Sequence, residues 1–348
     1  MKAAIRQRAL ELGFDDCRFT TAAPPASAAR LKEWLAAGQH GEMGYLVRNA
    51  EKRVDPQRVL SGAKSVICLM VSYAGNEVLP HPPEAGVATE VHGRIARYAC
   101  FADYHDVLGE RLRTLAAFVD QLSGEGARSL WYVDTGPVLE RELAQRAGIG
   151  FIGKHTNVIS RKLGNWTFLA EILTTIEIAP DEAETNRCGS CTRCLAACPT
   201  KAITAPFHLD ARLCVSYLTI ELKGSIPVAL RHLIGDRIYG CDDCLAACPW
   251  NRFAREGQMM RPHARPDFAS SRLADWLSLD DAGFKAKFSG TPIWRTKRRG
   301  FLRNVCVALG NTGNVKDLPA LTRACSDPEP LIAEHASWAR EQIEARAR

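Results

Sequence analysis

Eight of the thirteen cysteines in this 348-residue chain fall within one 61-residue stretch, and their spacing constrains the fold more than any other feature. Cys188, Cys191, Cys194 and Cys198 follow C-x2-C-x2-C-x3-C, with Pro199 next. In such a run three thiolates on a tight loop reach three corners of one four-iron cubane. The fourth, turned away on the next helix, ligates a second cluster. Cys241, Cys244 and Cys248 repeat the run with one cysteine missing, and Cys214 lies upstream to supply it. The crossover assigns one cluster to Cys188, Cys191, Cys194 and Cys248, and the other to Cys198, Cys214, Cys241 and Cys244. Paired zinc sites also use C-x2-C, but zinc gives no reason for C-x3-C-P to occur twice. Two clusters within hopping distance form an electron path, and a path needs a terminus elsewhere in the chain.

The remaining cysteines, Cys17, Cys68, Cys100, Cys306 and Cys325, are scattered and read as small buried hydrophobes. No stretch approaches the roughly 20 apolar residues of a membrane helix. The opening MKAAIRQRALELGFDD carries charges throughout and lacks the apolar core of a secretory signal and the twin-arginine pattern. A cytoplasmic protein is therefore expected, with reduced thiols rather than disulfides, no membrane association, and a monomer as the default.

Residues 1–180 alternate helical and strand-like patterns, as an α/β domain with a central sheet does. Helices are expected over 2–12, 27–37, 105–123 and 137–147, and strands over Ser65–Ser72, Ser129–Val133 and Asn165–Thr175. Gly75–Gly93, rich in Pro, Gly and Glu, reads as a surface loop. A ferredoxin-like two-cluster domain is expected over 181–260, followed by the Pro/Arg-rich connector Arg261–Pro266. An all-α domain over 285–348 is expected to hold three helices, at 301–310, 315–325 and 328–345, whose spacing resembles one and a half HEAT-type repeats. From Lys285 onward there are twelve Lys/Arg against six Asp/Glu, so this segment carries the whole net charge of +6. Such asymmetry suits a polyanionic partner or a solvated basic face. There is no G-x-G-x-x-G after a strand and no D-x-H-x-x-G of the kind that supplies an axial histidine to cobalamin, so patterning alone does not name the electron acceptor.

Asp134 follows the strand-like SLWYV, a position where α/β folds gather ligand sites. Read without relatives, an Asp before Thr-Gly-Pro is a turn residue or the cap of a helix starting near Pro137. Longer matches change the weighting. Glu51-Lys-Arg-Val-Asp-Pro56, Arg97-Tyr-Ala-Cys-Phe-Ala-Asp-Tyr-His105, Asp134-Thr-Gly-Pro137 and Gly148-Ile-Gly-Phe-Ile-Gly-Lys154 precede the cysteine runs. Phe168-Leu-Ala-Glu171, Cys214-Val-Ser-Tyr-Leu-Thr219 and Tyr239-Gly-Cys-Asp-Asp-Cys-Leu-Ala-Ala-Cys-Pro-Trp-Asn251 complete them. In this order and content the chain resembles the epoxyqueuosine reductases, tRNA-modifying enzymes of the queuosine pathway.

The resemblance implies a cobalamin-binding α/β domain, a two-cluster domain and a HEAT-like tail that holds tRNA. It implies reduction of the epoxide of epoxyqueuosine to an alkene at the tRNA wobble position, with electrons from an external flavodoxin- or ferredoxin-type donor passing through two 4Fe-4S clusters to cobalamin. Asp134 is carried over as the proton donor, an acid whose pKa burial beside a corrin would raise. Cobalamin contacts carried over are Arg53, Ala96, Asp134, Val158, Leu169, Ser216 and Asp242, with His105 and His155 as alternatives for cobalt ligation. A lone histidine such as His105, at a helix start, is otherwise read as structural. For RNA, Arg295, Lys297, Arg298, Arg299 and Arg303 form the densest basic cluster, beside Trp294, and Lys223 is a further contact. Competing expectations are a corrinoid reductive dehalogenase and an electron-transfer or tRNA-binding adaptor without substrate chemistry. The dehalogenases differ in usually carrying a twin-arginine signal and lacking a basic helical tail.

Overall fold

The computed structural model describes residues 1–75, 92–124, 126–268 and 272–348. The loop expected over Gly75–Gly93 thus lies almost wholly outside the described residues. Helix α1 (Lys2–Glu11) leads into β1 (Asp16–Thr21), and β2 (Ser65–Ser72) follows the expected helix, Ala28–Ala36, and three shorter helical stretches. Helix α2 (Tyr104–Ser123), β3 (Ser129–Tyr132), α3 (Glu140–Arg146) and β4 (Thr167–Thr174) complete the first unit. The strands order as β1-β2-β4-β3, and every pairing is antiparallel. The expected central sheet is present, but the rule placing ligands at the carboxyl ends of parallel strands does not apply to it.

The run SVICLMVS explains why β2 is central: all eight residues are buried, as a strand covered on both faces requires. Side chains alternate between faces. Ile67, Leu69 and Val71 share one core with Phe168, Ala170 and Ile172 of β4 and with Val107, Leu108, Leu112, Leu115 and Val119 of α2. Val66, Cys68, Met70 and Leu173 face the other way, against Leu143 and Ala144 of α3. Asp103 starts α2 by accepting the His105 backbone N–H, a cap worth about 1 kcal/mol. Helix α3 begins three residues later than the sequence suggests, because Gly136-Pro137 and the Val138 carbonyl, which accepts from Arg53, form a loop first.

The cysteine-bearing segment is loop-rich, with short helices α4 (Arg193–Ala197), α5 (Val215–Ile220) and α6 (Asp243–Ala246). It interlocks with its neighbours: Met259 and Met260 pack in the first core, while Ile238 and Tyr239 pack in the last. Downstream, α7 (Lys297–Thr312), α8 (Leu318–Ala324) and α9 (Pro330–Arg346) form the expected three helices. Phe301, Leu302, Val305 and Leu309 of α7 bury against Leu321 of α8 and Ile332, Ala336, Ala339 and Ile343 of α9. Each fully buried Leu or Ile contributes about 1.5–3 kcal/mol. Among the described residues no helix is long and apolar enough to cross a membrane.

Candidate active site and clustered thiols

The eight cysteines fall into two neighbourhoods. Burial pushes the Cys248 thiol up, and Cys188, Cys194 and Cys191 add to it; burial, Cys188 and Cys191 do the same to Cys194. In the second neighbourhood, burial drives Cys244 well above its ordinary value, assisted by Cys214, Cys241 and Cys198. Burial pushes Cys241 up to about 12, with Asp243 and Cys214 contributing. Cys214, raised by burial, faces Cys198. These are the two crossover sets. Crowded, buried thiols resist ionisation unless a cation compensates them, and iron is such a cation. Backbone N–H groups of Leu195, Trp250, Asp243, Ser216 and Tyr217 point at Cys194, Cys248, Cys241 and Cys214, and the Ala202 N–H reaches Cys198 Sγ at 3.2 Å. Thiolates of a cluster are stabilised by such donors.

One cavity, about 240 Å³, connects the second set to the first unit. Its lining includes Asp134, Tyr98, Tyr104, Cys214, Ser216, Tyr239 and Arg295. Asp134 sits at φ 58°, in the left-handed region that Asp tolerates better than most residues. Two residues on, Gly136 is obligatory, because a Cβ there would come within 2.4 Å of the Tyr132 ring. The Tyr104 hydroxyl donates to Asp134 Oδ2 at 2.8 Å, and burial beside Asp134 drives the phenol well above its ordinary pKa, so it stays a donor. His105 Nδ1 contacts Asp103 Oδ1 at 2.6 Å, while Nε2 lies 2.8 Å from an Arg295 Nη2 and 3.8 Å from Asp134 Oδ2. With the Nδ1 proton held by Asp103, Nε2 accepts from Arg295. Burial opposes the Asp103 charge, but the His105 side chain and backbone outweigh it and hold the carboxyl below its usual range.

Several expectations change here. Asp134 caps no helix, since α3 starts at Glu140 with no side-chain cap. Its side chain is 57% exposed, so the chain itself does not supply the expected burial; a ligand lying over it would have to. His105 is not merely a packing residue: it links Asp103, Arg295 and the Asp134 region. Arg303 is not available to RNA. It is 1% exposed and donates to the carbonyls of Leu218, Leu222 and Gly224 and to Asn304 Oδ1. Burial depresses its pKa to about 10. Helical periodicity turns Arg303 inward even though it belongs to a basic run. Arg298 is engaged with Asp327 and the Leu279 carbonyl, and Arg299 pairs with Glu329 at 3.3 Å. Lys297, at φ 58°, lies 4.5 Å from the centre of the Trp294 ring. Lys223 is exposed, and its backbone N–H is held by Glu42.

The carried-over cofactor contacts separate into three places. Asp134 and Ser216 line the cavity. Val158 and Leu169 lie on the α3 face of the sheet, near Arg53, whose Nη1 donates to Val138 O. Ala96 and Asp242 are neighbours through Arg97, whose backbone N–H donates to Asp242; burial pushes that carboxyl up to about 6. Arg53 Nε, Arg97 Nε, His155 Nε2 and Asn165 Oδ1 are buried without a hydrogen-bond partner, a state that fewer than about one in ten buried polar groups share. A ligand rimmed with amides, both donors and acceptors, fits that set. Residues missed from sequence were Tyr98, Tyr104, Tyr239 and the pair Glu140 and Glu171; only the Asp-Tyr-His start of α2 held a local signal.

Grouped thiols joined by a cavity to a carboxyl–phenol pair define an iron–sulfur oxidoreductase. Residues 187–251 match the family profile described as a 4Fe-4S double cluster binding domain. Residues 53–135 match the one described as Epoxyqueuosine reductase QueG, DUF1730. Epoxyqueuosine reductase of Xanthomonas campestris pv. campestris is 40% identical over 97% of this chain and 94% of its own. A crystal structure of epoxyqueuosine reductase with an epoxyqueuosine-modified tRNA-Tyr stem loop superposes with a TM-score of 0.89, at 34% identity over 98% of this chain and 90% of that one. The Bacillus subtilis enzyme, with its catalytic aspartate loop swung out of the active site, gives a TM-score of 0.88 at 33% identity over the same shares. The chain belongs to the epoxyqueuosine reductase family.

Proposed function

We infer that this enzyme reduces epoxyqueuosine to queuosine in tRNA, and the observation that carries the reading is the single cavity lined by both Asp134 and Cys214. The two thiol sets would hold the two clusters, 188/191/194/248 and 198/214/241/244, while Arg53, Ala96, Val158, Leu169, Ser216 and Asp242 would contact a cobalamin. When bound, these groups supply single electrons from a flavodoxin- or ferredoxin-type donor and a low-valent cobalt able to reduce an epoxide carbon. The protein positions and protonates. Tyr104 occupies Oδ2 of Asp134, which leaves Oδ1 to carry the proton given to the epoxide oxygen as its C–O bond breaks. Two electrons and two protons convert the epoxide to an alkene and water. Arg295, oriented by His105 and Asp103, places a cation at the cavity mouth where a phosphate of the anticodon loop would pass. A wobble nucleotide already splayed in its loop enters at moderate cost. The mobile aspartate loop of the Bacillus subtilis relative supports reading residues 133–139 as the catalytic loop here. The three terminal helices, read as HEAT-like, and Lys297 would flank the RNA.

The test is anaerobic reconstitution with iron, sulfide and cobalamin, followed by reductant and epoxyqueuosine tRNA, with nucleoside mass spectrometry as readout. Loss of one oxygen by wild type and not by Asp134→Asn supports the reading. Conversion by both proteins removes the assigned acid, and conversion by neither points to another reductive substrate.

A further inference from the structure

Glu140 and Glu171 take no part in the chemistry just described, yet they lie against the loop that carries Asp134. Glu171 is 0% exposed. It lies on β4 opposite Tyr132, the last residue of β3 before the Asp134 loop leaves the sheet. Glu140 opens α3, where that loop ends. The two side chains bond to one another. Glu140 Oε1 and both Glu171 oxygens are buried with no donor from the rest of the chain. Two carboxylates in contact, with three of their four oxygens away from water and from other donors, cannot both ionise. One must keep its proton, and an O–H···O⁻ bond between acid and carboxylate is among the stronger hydrogen bonds available.

We propose that Glu140 and Glu171 share one proton and so latch the α3 end of the Asp134 loop to the sheet, making them positioning residues for Asp134. The proposal rests on reading Asp134 as the acid, but its test does not need turnover. The groups facing the pair are Asp134 from the loop, Arg53 from the turn Ala50–Arg53, Arg141 on α3, and Cys68 on β2 with Arg146 beyond it. Burial pushes Glu140 up to about 8 and Asp134 adds to this, while the hydrogen bond it accepts from Glu171 opposes the rise, with Arg141 and Arg53. Burial likewise raises Glu171, with Glu140 contributing. Carboxyls raised on folding contribute stability that is complete below the ordinary carboxylate range and lost as pH rises through the folded value. Glu171 is the donor and keeps its proton as Glu140 ionises, so the latch stays closed on both sides of neutral pH and opens only when Glu171 ionises as well.

The experiment is hydrogen exchange of the cluster-loaded full chain across pH 6–9, following the peptide over 133–140 after correction for intrinsic exchange. Wild type should stay protected across this range, at least about tenfold above Glu171→Leu, because Glu171 still donates. Glu171→Gln, whose amide donates to Glu140 at any pH, should keep the peptide protected throughout. Glu171→Leu should leave it unprotected throughout, with the far peptides of α9 unchanged as a check on folding. Identical protection in wild type and Glu171→Leu would overturn the latch, whatever the enzyme's substrate proves to be.

Discussion

The two thiol sets differ in what surrounds them. Cys188 and Cys191 of the outer set are only partly buried, in a segment where Arg187, Gly189, Ser190, Thr192 and Arg193 are exposed. Its fastening to the first unit includes Lys154, whose Nζ donates to the carbonyls of Gly189 and Cys191 at 2.7 and 2.9 Å. In the inner set, Cys214 borders the Asp134 cavity, and the α5 helix that follows it is pinned from α7 by Arg303. The loop that carries Cys188 and Cys191 is the more exposed, and the other set reaches the cavity through Cys214. Under the proposed function that asymmetry would give the electron path a direction, inward from Cys188 and Cys191 towards Cys214.

The direction can be broken at either end, and the inner end should cost most. Cys214→Ala should lose about half of the iron and labile sulfide and all turnover, while electron paramagnetic resonance still shows one reducible cluster. Retained turnover with one cluster would place the substrate cavity on the wrong side of the path. Asp134→Asn should come next, lowering single-turnover conversion by about 10²–10⁴ with both cluster signals intact. A fall in cluster content instead would make Asp134 structural.

The outer end was the legible one. Spacing alone grouped Cys188, Cys191 and Cys194, because a local loop fixes those thiols, and one crossover rule added Cys248. The cavity was not legible from spacing, because it draws Tyr98 and Tyr104, Asp134, Ser216, Tyr239 and Arg295 from stretches nearly 200 positions apart. Asp134 entered through resemblance, and the chain alone leaves its side chain open. The four antiparallel strands came out as three expected runs plus β1, whose DCRFTT carries too little apolar pattern to announce itself. Arg303 was misplaced because counting charges ignores the helical phase that turns one arginine of a basic run into the core.

Arg303 and Arg295 sharpen the same contrast. Arg303→Ala removes the guanidinium donors to the carbonyls of Leu218, Leu222 and Gly224, so stability should fall by about 3–5 kcal/mol, read as a lower denaturant midpoint together with loss of the inner cluster. Arg295→Ala should leave stability and both clusters unchanged. It should weaken tRNA binding several-fold and reduce the salt dependence of log Kd by roughly 0.7, one phosphate contact on a single strand. Equal destabilisation by both changes would mean that Arg295 is fixed by packing and not poised for a ligand.

The smallest effect belongs to Lys154. Its ammonium holds two carbonyls of the outer loop, one of them that of Cys191, so it acts on the cluster through charge and through loop geometry together. A positive charge near a cluster favours the reduced, more negative state, and removing it should lower the midpoint potential. Lys154→Met keeps most of the side-chain volume and removes the charge. A shift of about −30 mV in the outer cluster for this one-electron couple corresponds to roughly a threefold change in its equilibrium with a donor. The inner cluster should not move, because the side-chain hydrogen bonds of Lys154 go to the outer loop. Lys154→Arg, which keeps the charge while changing the reach, should restore the potential if charge is the cause. If both variants shift the potential equally, or if the inner cluster moves with the outer, the lysine acts by shaping the loop and the two sets are less independent than their surroundings suggest.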